Sequence, residues 1–313
     1  MKEVSHKDYL EFIKERGTGV IIGDQQVELR QEWRIESYAP PDDYKPEKET
    51  VWSFPNRGNW ATHVGDYRGN WSPYIPRNLI MRYTKPGDHV LDQMAGSGTT
   101  LVECKLLWRN GVGVDINPNA VMVARDRLNF EYASSSEQGK SCVIRTYVGD
   151  ARYLNEIASE SVDLVATHPP YARMIMYTRK SAGALDGDLS WLPLQTYLRE
   201  MSRVAEESLR VLKPSKHCAI LIGDTRKQLH YVPIAFRVMQ AFLDAGFILR
   251  EDIIKRQWKM KGTRERWRGK GYDFYLITHE HVFVFRKPAS EEELSRFRHS
   301  SRNMFRMETR EDK

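Results

Sequence analysis

The sequence predicts an α/β protein built on a seven-stranded, mostly parallel sheet whose last strand is antiparallel. Three features predict it. Apolar runs of strand length alternate with stretches of helical periodicity from residue 90 onward, and such alternation places helices on both faces of a parallel sheet. The runs end repeatedly in polar residues: Asp92, Asp115, Asp150, His168 and Asp224 all fall at or just beyond expected strand ends. The last two runs, 247–254 and 281–285, have no helical stretch between them, so the final strand must return antiparallel. Open sheets of this kind bind ligands at the carboxyl ends of their strands, where those polar residues gather.

In chain order, residues 1–30 hold a helix around Tyr9, Leu10, Phe12 and Ile13 and an apolar piece, Val20-Ile21-Ile22. Residues 38–49 read as an exposed loop. Residues 51–76 are rich in Trp, Gly, Asn and Pro and show neither helical nor strand periodicity. Trp52, Trp60 and Trp71 there either pack an irregular layer or face a ligand. A helix over 77–83 leads to the first strand, 90–92. A glycine turn, a helix and a second strand over 111–116 follow. Next come a helix over 118–132, strands over 142–148 and 162–167, and a loop-like insertion over 172–193. A helix over 194–212 should stop at Lys213-Pro214. The fifth strand is 218–222, and a helix over 233–245 stops at Gly246. The organisation is an N-terminal extension over 1–70, a main domain over 71–288 and a charged tail over 289–313.

With 313 residues the chain can bury a sizeable core, and 41% hydrophobic and 29% charged residues are ordinary for a soluble protein. Nothing resembles a signal peptide or a membrane span, and Cys104, Cys142 and Cys218 sit in no metal spacing. A cytoplasmic location and no bound metal are expected. The net charge of +6 says less than where the charge sits.

The central stretch runs Val90-Leu91-Asp92-Gln93-Met94-Ala95-Gly96-Ser97-Gly98-Thr99-Thr100. A strand ends in an acid, turns through two glycines and enters a helix, whose first N–H groups are unpaired. The second strand ends in Asp115, placed to accept from a ribose hydroxyl pair. Leu101 stands where a dinucleotide fingerprint needs its third glycine, and no Gly-Lys-Ser/Thr follows to make a P-loop. A cofactor held without phosphates fits better. The pattern resembles the S-adenosylmethionine (SAM) site of Rossmann-like methyltransferases.

At the fourth strand end stands His168-Pro169-Pro170-Tyr171. The prolines fix the backbone and stop the ladder. A flat ring beside fixed acceptors suits a planar base carrying an exocyclic amine. The element resembles motif IV, (Asp/Asn/Ser)-Pro-Pro-aromatic, of amino-group methyltransferases acting on adenine N6 or cytosine N4 in DNA. The glycine turn resembles motif I of that family, and the segment over 72–80 resembles its motif X. The likeness covers about residues 60–290. It implies a Rossmann-like SAM methyltransferase fold and SAM held by Asp92, Gly96, Gly98 and Asp115. Tyr74, Pro76, Met94, Ser97, Thr99 and Ala151 complete the implied cofactor set. It also implies adenine contacts from Ile116 and Asp150, and a flipped base held by His168, Pro169, Pro170 and Tyr171. His168 departs from the usual Asp, Asn or Ser, which leaves adenine and cytosine both open. No long target-recognition insertion accompanies these motifs.

Lys255, Arg256, Lys259, Lys261, Arg264, Arg266, Arg268 and Lys270 make a basic run with Trp258 and Trp267 interleaved. Basic and aromatic side chains together suit phosphate contacts and base stacking. Arg173, Arg179 and Lys180 of the insertion should cover the same opening. The expected activity is SAM-dependent methylation of a base amine in DNA, in a restriction–modification or host-defence setting with DNA and a cognate nuclease or defence subunit as partners. The rivals are a base-amine methyltransferase of structured RNA, a protein-glutamine methyltransferase and a non-catalytic nucleic-acid-binding protein. Label transfer from SAM separates the last from the others.

Overall fold

A computed structural model of the protein describes residues 1–23, 25–67, 69–132, 141–171, 185–259 and 273–302. The chain begins with β1 (Lys2–Val4), α1 (His6–Arg16), the hairpin β2 (Gly19–Ile22) and β3 (Gln25–Glu28), and β4 (Val51–Ser53). Then follow α2 (Tyr74–Tyr83), β5 (His89–Asp92), α3 (Thr99–Leu106), β6 (Asn110–Asp115), α4 (Pro118–Leu128), β7 (Ile144–Val148) and β8 (Val162–Thr167). Next are α5 (Leu194–Val211), β9 (Leu212–Ile222), the hairpin β10 (Thr225–Lys227) and β11 (His230–Val232), and α6 (Ile234–Ala245). The last strands are β12 (Ile248–Arg256) and β13 (His279–Arg286).

The main sheet has nine strands in the order β1-β7-β6-β5-β8-β9-β13-β12-β4. Its inner seven are the expected strands, and β13 runs antiparallel to both β9 and β12. The N-terminal stretch adds both edges: β1 pairs antiparallel with β7, and β4 pairs parallel with β12. The order reverses between β5 and β8, which leaves a crevice at their carboxyl ends.

Both faces of the sheet are buried, and alternate residues divide between them. Leu91, Val165, Ile220 and Phe283 pack under α5 and α6 with Met201, Val204, Val238 and Phe242. Val90, Leu164, Ala219 and Val282 pack against Ile75 and Leu79 of α2 and against Trp52 and Trp71. The stretch over 51–76 is therefore held by its tryptophans. Trp60 donates to the buried Glu103 carboxylate at 2.7 Å, and His63 and Arg77 each reach it at 2.8 Å.

Two expected boundaries move. The helix α5 ends at Val211, within a residue of the stop expected at Lys213-Pro214, but the strand after it begins at once rather than at 218: Leu212 already pairs with Val162. The irregular pairing before Leu164 and His217 absorbs Pro214, with Ser215 at φ 66°. The stretch from Val51 holds a strand after all, too short for alternation to announce it. Among the described residues, no helix is long and apolar enough to cross a membrane.

Candidate active site

The turn after β5 is organised by Asp92, which is buried. Its carboxylate accepts from the hydroxyl of Thr100, the hydroxyl of Thr167 at 3.0 Å and the Met94 N–H at 3.2 Å. Burial pushes its pKa up to about 6 against these hydrogen bonds. Asp92 thus ties together β5, β8 and α3; it is not part of the cavity wall. Gly98 is likewise a packing residue: at φ +79° a Cβ there would lie 2.9 Å from that of Ala124, so the glycine lets α3 and α4 meet. Ser97 and Thr99 are buried at the entry to α3 and are not in the wall of the cavity beside Gly96.

Gly96 serves the site itself. Its N–H donates to Asp115 Oδ2 at 2.8 Å, and the Asn117 N–H donates to Oδ1 at 2.9 Å. Each oxygen keeps a further lone pair for a ligand hydroxyl. Burial pushes the Asp115 pKa up to about 6, against the two amide bonds. Gly96 and Asp115 open on a cavity that, with its solvent-filled mouth, spans about 810 Å³ and is walled also by Met94, Ile116, Asp150, Ala151, His168 and Pro170.

The wall has members that the motifs did not suggest: Tyr67, Gly69, Gln93, Asn117, Gly187 and Leu189. In the same wall, the Asp150 carboxylate accepts from the backbone N–H, the Nε and the Nη2 of Arg152, whose Nη1 also reaches Glu200 at 2.6 Å. Gly187, at φ +87°, closes over this group; a Cβ there would lie 2.7 Å from Arg152 Nη2 and 2.9 Å from Ile116 Cδ1. Asp150 is therefore spent on Arg152, and what it leaves for a ligand is its outer edge and its backbone.

At the end of β8, His168 and Pro170 face the cavity, whereas Pro169 and Tyr171 are buried behind them. The expected stacking ring of Tyr171 is instead tied down through its hydroxyl. That hydroxyl donates to Glu280 Oε1 at 2.7 Å and lies 3.0 Å from His168 Nε2. Glu280 Oε2 accepts from Lys255 Nζ at 2.8 Å. Burial pushes Glu280 up, but the Lys255 ammonium and the hydrogen bonds outweigh it and hold its pKa at about 2. Burial lowers His168 to about 4, helped by the Lys255 charge and opposed by Glu280. At neutral pH the ring is uncharged. Trp71 stacks on it at 5.9 Å between centroids.

Other expectations are corrected by position. Tyr74 packs among Tyr44, Phe54 and Trp60, and Pro76 is buried in α2; the cavity is lined instead by Tyr67 and Gly69, which precede the 72–80 stretch. Asp224 caps α6 through the Ala235 N–H at 2.7 Å and accepts from Tyr231, away from the cavity. Lys255 belongs to Glu280 and is no free phosphate contact. Arg256 covers the Trp258 ring at 4.4 Å, and Lys259 is exposed beside them. Arg173, Arg179, Lys180, Lys261, Arg264, Arg266, Trp267, Arg268 and Lys270 lie outside the described residues.

A family model for DNA methylases matches residues 5–126 and 162–312. A model for an RMKL-like methyltransferase domain matches residues 78–190. The type II methyltransferase M.Cfr9I of Citrobacter freundii is 37% identical over 84 residues, 27% of either chain. The type II methyltransferase M.HpaI of Haemophilus parainfluenzae is 40% identical over 102 residues, 29% of this chain and 30% of its own. A tRNA (guanine(10)-N2)-dimethyltransferase of Methanothermobacter thermautotrophicus is 33% identical over 106 residues, 34% of this chain and 29% of its own. This chain thus spans three tenths or less of the length of these curated relatives. A solved SAM-dependent methyltransferase of Methanosarcina mazei aligns over 68% of this chain and 98% of its own, at 15% identity and a TM-score of 0.46.

Proposed function

This chain belongs to the DNA methylase family, and from that premise we propose that it methylates the exocyclic amine of adenine (N6) or cytosine (N4) in DNA. The methyl donor is S-adenosylmethionine. The observation that carries this reading is one cavity lined both by Asp115 and by His168 and Pro170. The residues present fit the donor: Asp115 has lone pairs left for ribose hydroxyls, and Ile116 offers an apolar edge to its base. When bound, SAM supplies an electrophilic methyl group on a sulfonium.

The protein's own work is positioning. His168, uncharged, can accept one N–H of the target amine and aim the nitrogen lone pair. Pro170 stiffens the wall beside it. Trp71 and Tyr171 hold the imidazole plane. A base inside a duplex cannot enter such a cavity, so the reading requires it to be flipped out. Arg256, Trp258 and Lys259 supply charge and a stacking face for the flanking strand. The setting is the cytoplasm, with DNA as the partner and a cognate nuclease or defence subunit as a further one.

The experiment is label transfer from methyl-tritiated SAM to duplex DNA, followed by nucleoside analysis to distinguish methylated adenine from methylated cytosine. Label in neither base would defeat the reading. Methylation of structured RNA is the second reading, favoured by the tRNA methyltransferase among the relatives, and the same assay with tRNA decides it.

A further inference from the structure

His168 could take either neutral tautomer, and only one of them leaves a lone pair for a substrate amine. We propose that Glu280 and Lys255 select that tautomer, acting on His168 through the Tyr171 hydroxyl. This rests on the function proposed above and assigns positioning roles to two residues in β12 and β13, outside the expected motifs.

The argument is a count of protons. Glu280 is a carboxylate and can only accept. One of its oxygens takes a proton from Lys255 at 2.8 Å, and the other takes the Tyr171 hydroxyl at 2.7 Å. A phenol has one proton. Having given it to Glu280, Tyr171 can only accept from His168 Nε2, 3.0 Å away. The proton of neutral His168 must then sit on Nε2, leaving Nδ1 bare. That atom is buried and has no hydrogen-bond partner among the described residues, while the ring forms part of the cavity wall. An orphaned buried acceptor is costly unless a ligand supplies the donor. The Gly69 backbone carbonyl is the competing acceptor, favouring a protonated ring, but it does not reach hydrogen-bond geometry. Lys255 and Glu280 are register partners across β12 and β13, so the sheet itself sets the start of the chain of hydrogen bonds.

Glu280→Gln tests it, because a carboxamide can donate. Tyr171 could then accept from Gln and donate to Nε2, moving the imidazole proton to Nδ1. Single-turnover methylation at saturating SAM should fall about 10- to 100-fold, the effect of one reversed hydrogen bond. In a His168→Asn background, where the acceptor does not depend on a tautomer, the same change should cost less than about twofold. Equal losses in both backgrounds would reduce Glu280 to a structural role. Nitrogen-15 spectra of the imidazoles, with His168 assigned by its absence in His168→Asn, provide an arm that needs no substrate. Wild type should show the Nε2–H form and Glu280→Gln should lose it. A wild-type Nδ1–H form would overturn the proposal even if DNA is methylated, and the expected form would support it even if DNA is not.

Discussion

Lys255 and Glu280 face one another across β12 and β13 with ammonium and carboxylate 2.8 Å apart and side chains 17% and 8% exposed. Removing one member of a buried pair leaves the other charge unsolvated and costs about 3–5 kcal/mol. Lys255→Met should therefore lower the urea midpoint sharply, and Lys255→Met combined with Glu280→Gln should recover more than half of the loss. No recovery in the double variant would mean that Lys255 stabilises β12 by packing alone.

The acid behaviour of the site divides between two groups. Burial raises Asp115 to about 6 and lowers His168 to about 4. As pH falls through about 6, Asp115 gains a proton and loses an acceptor for the ribose, so SAM affinity should drop. The chemical step at saturating SAM should stay level down to about pH 5, because His168 is still neutral there. Calorimetric titration and single-turnover rates between pH 5 and 8 separate the two. A transfer rate that falls with a midpoint near 6.5 would indicate an imidazole with no burial penalty.

Asp92 and Asp115 show how far such a site can be read from residues alone. Both are acids ending apolar runs, and both were placed at the strand ends they occupy. Nothing in the spacing distinguishes the one turned inward to Thr100 and Thr167 from the one open to the cavity. That choice depends on β8 lying against β5. The strand Val162–Thr167 was legible to the residue because every side chain in it is buried. The helix from Pro118 announces itself by Asn117, which caps it, and by the proline in its first turn. Glu280 was not legible, since it stands one residue before the expected seventh strand, 281–285, and an acid there reads as a solvent-facing position until its partner is known. The signal available was register: extending the antiparallel pairing of 247–254 with 281–285 by one residue brings Lys255 opposite Glu280. Tyr67, Gly69 and Trp71 come from a stretch with no period, so only tertiary packing reveals them.

Two glycines should fail differently. Gly98→Ala puts a methyl 2.9 Å from Ala124 at a positive φ, and such overpacking costs about 1–3 kcal/mol of stability. Gly187→Ala pushes instead on Ile116 and Arg152 in the cavity wall, and should weaken SAM binding about tenfold, or about 1.4 kcal/mol, with a smaller loss of stability. Thermal melts with and without SAM distinguish them. If Gly187→Ala binds SAM as wild type does, the segment beyond Gly187 does not close on the cofactor.

The described part of the basic run makes a sharper prediction about DNA. Arg256 lies over Trp258, which is 42% exposed and anchored by its indole N–H to Ser53 at 3.1 Å. Lys259 is exposed next to it, whereas Lys255 is already paired. Each phosphate contact releases counterions, so losing one should flatten the log–log salt dependence of duplex binding by about 0.9. Arg256→Ala and Lys259→Ala should each do so, while the Lys255→Met and Glu280→Gln double variant should keep the wild-type slope. Trp258→Ala should weaken binding by about 1–3 kcal/mol at every salt concentration, because stacking carries no counterion term. Fluorescence anisotropy of a labelled duplex over a tenfold salt range measures all four variants. An unchanged slope in Arg256→Ala and Lys259→Ala would place the DNA backbone elsewhere on the molecule. A flattened slope in the double variant would show that Lys255 leaves Glu280 to reach a phosphate when DNA binds.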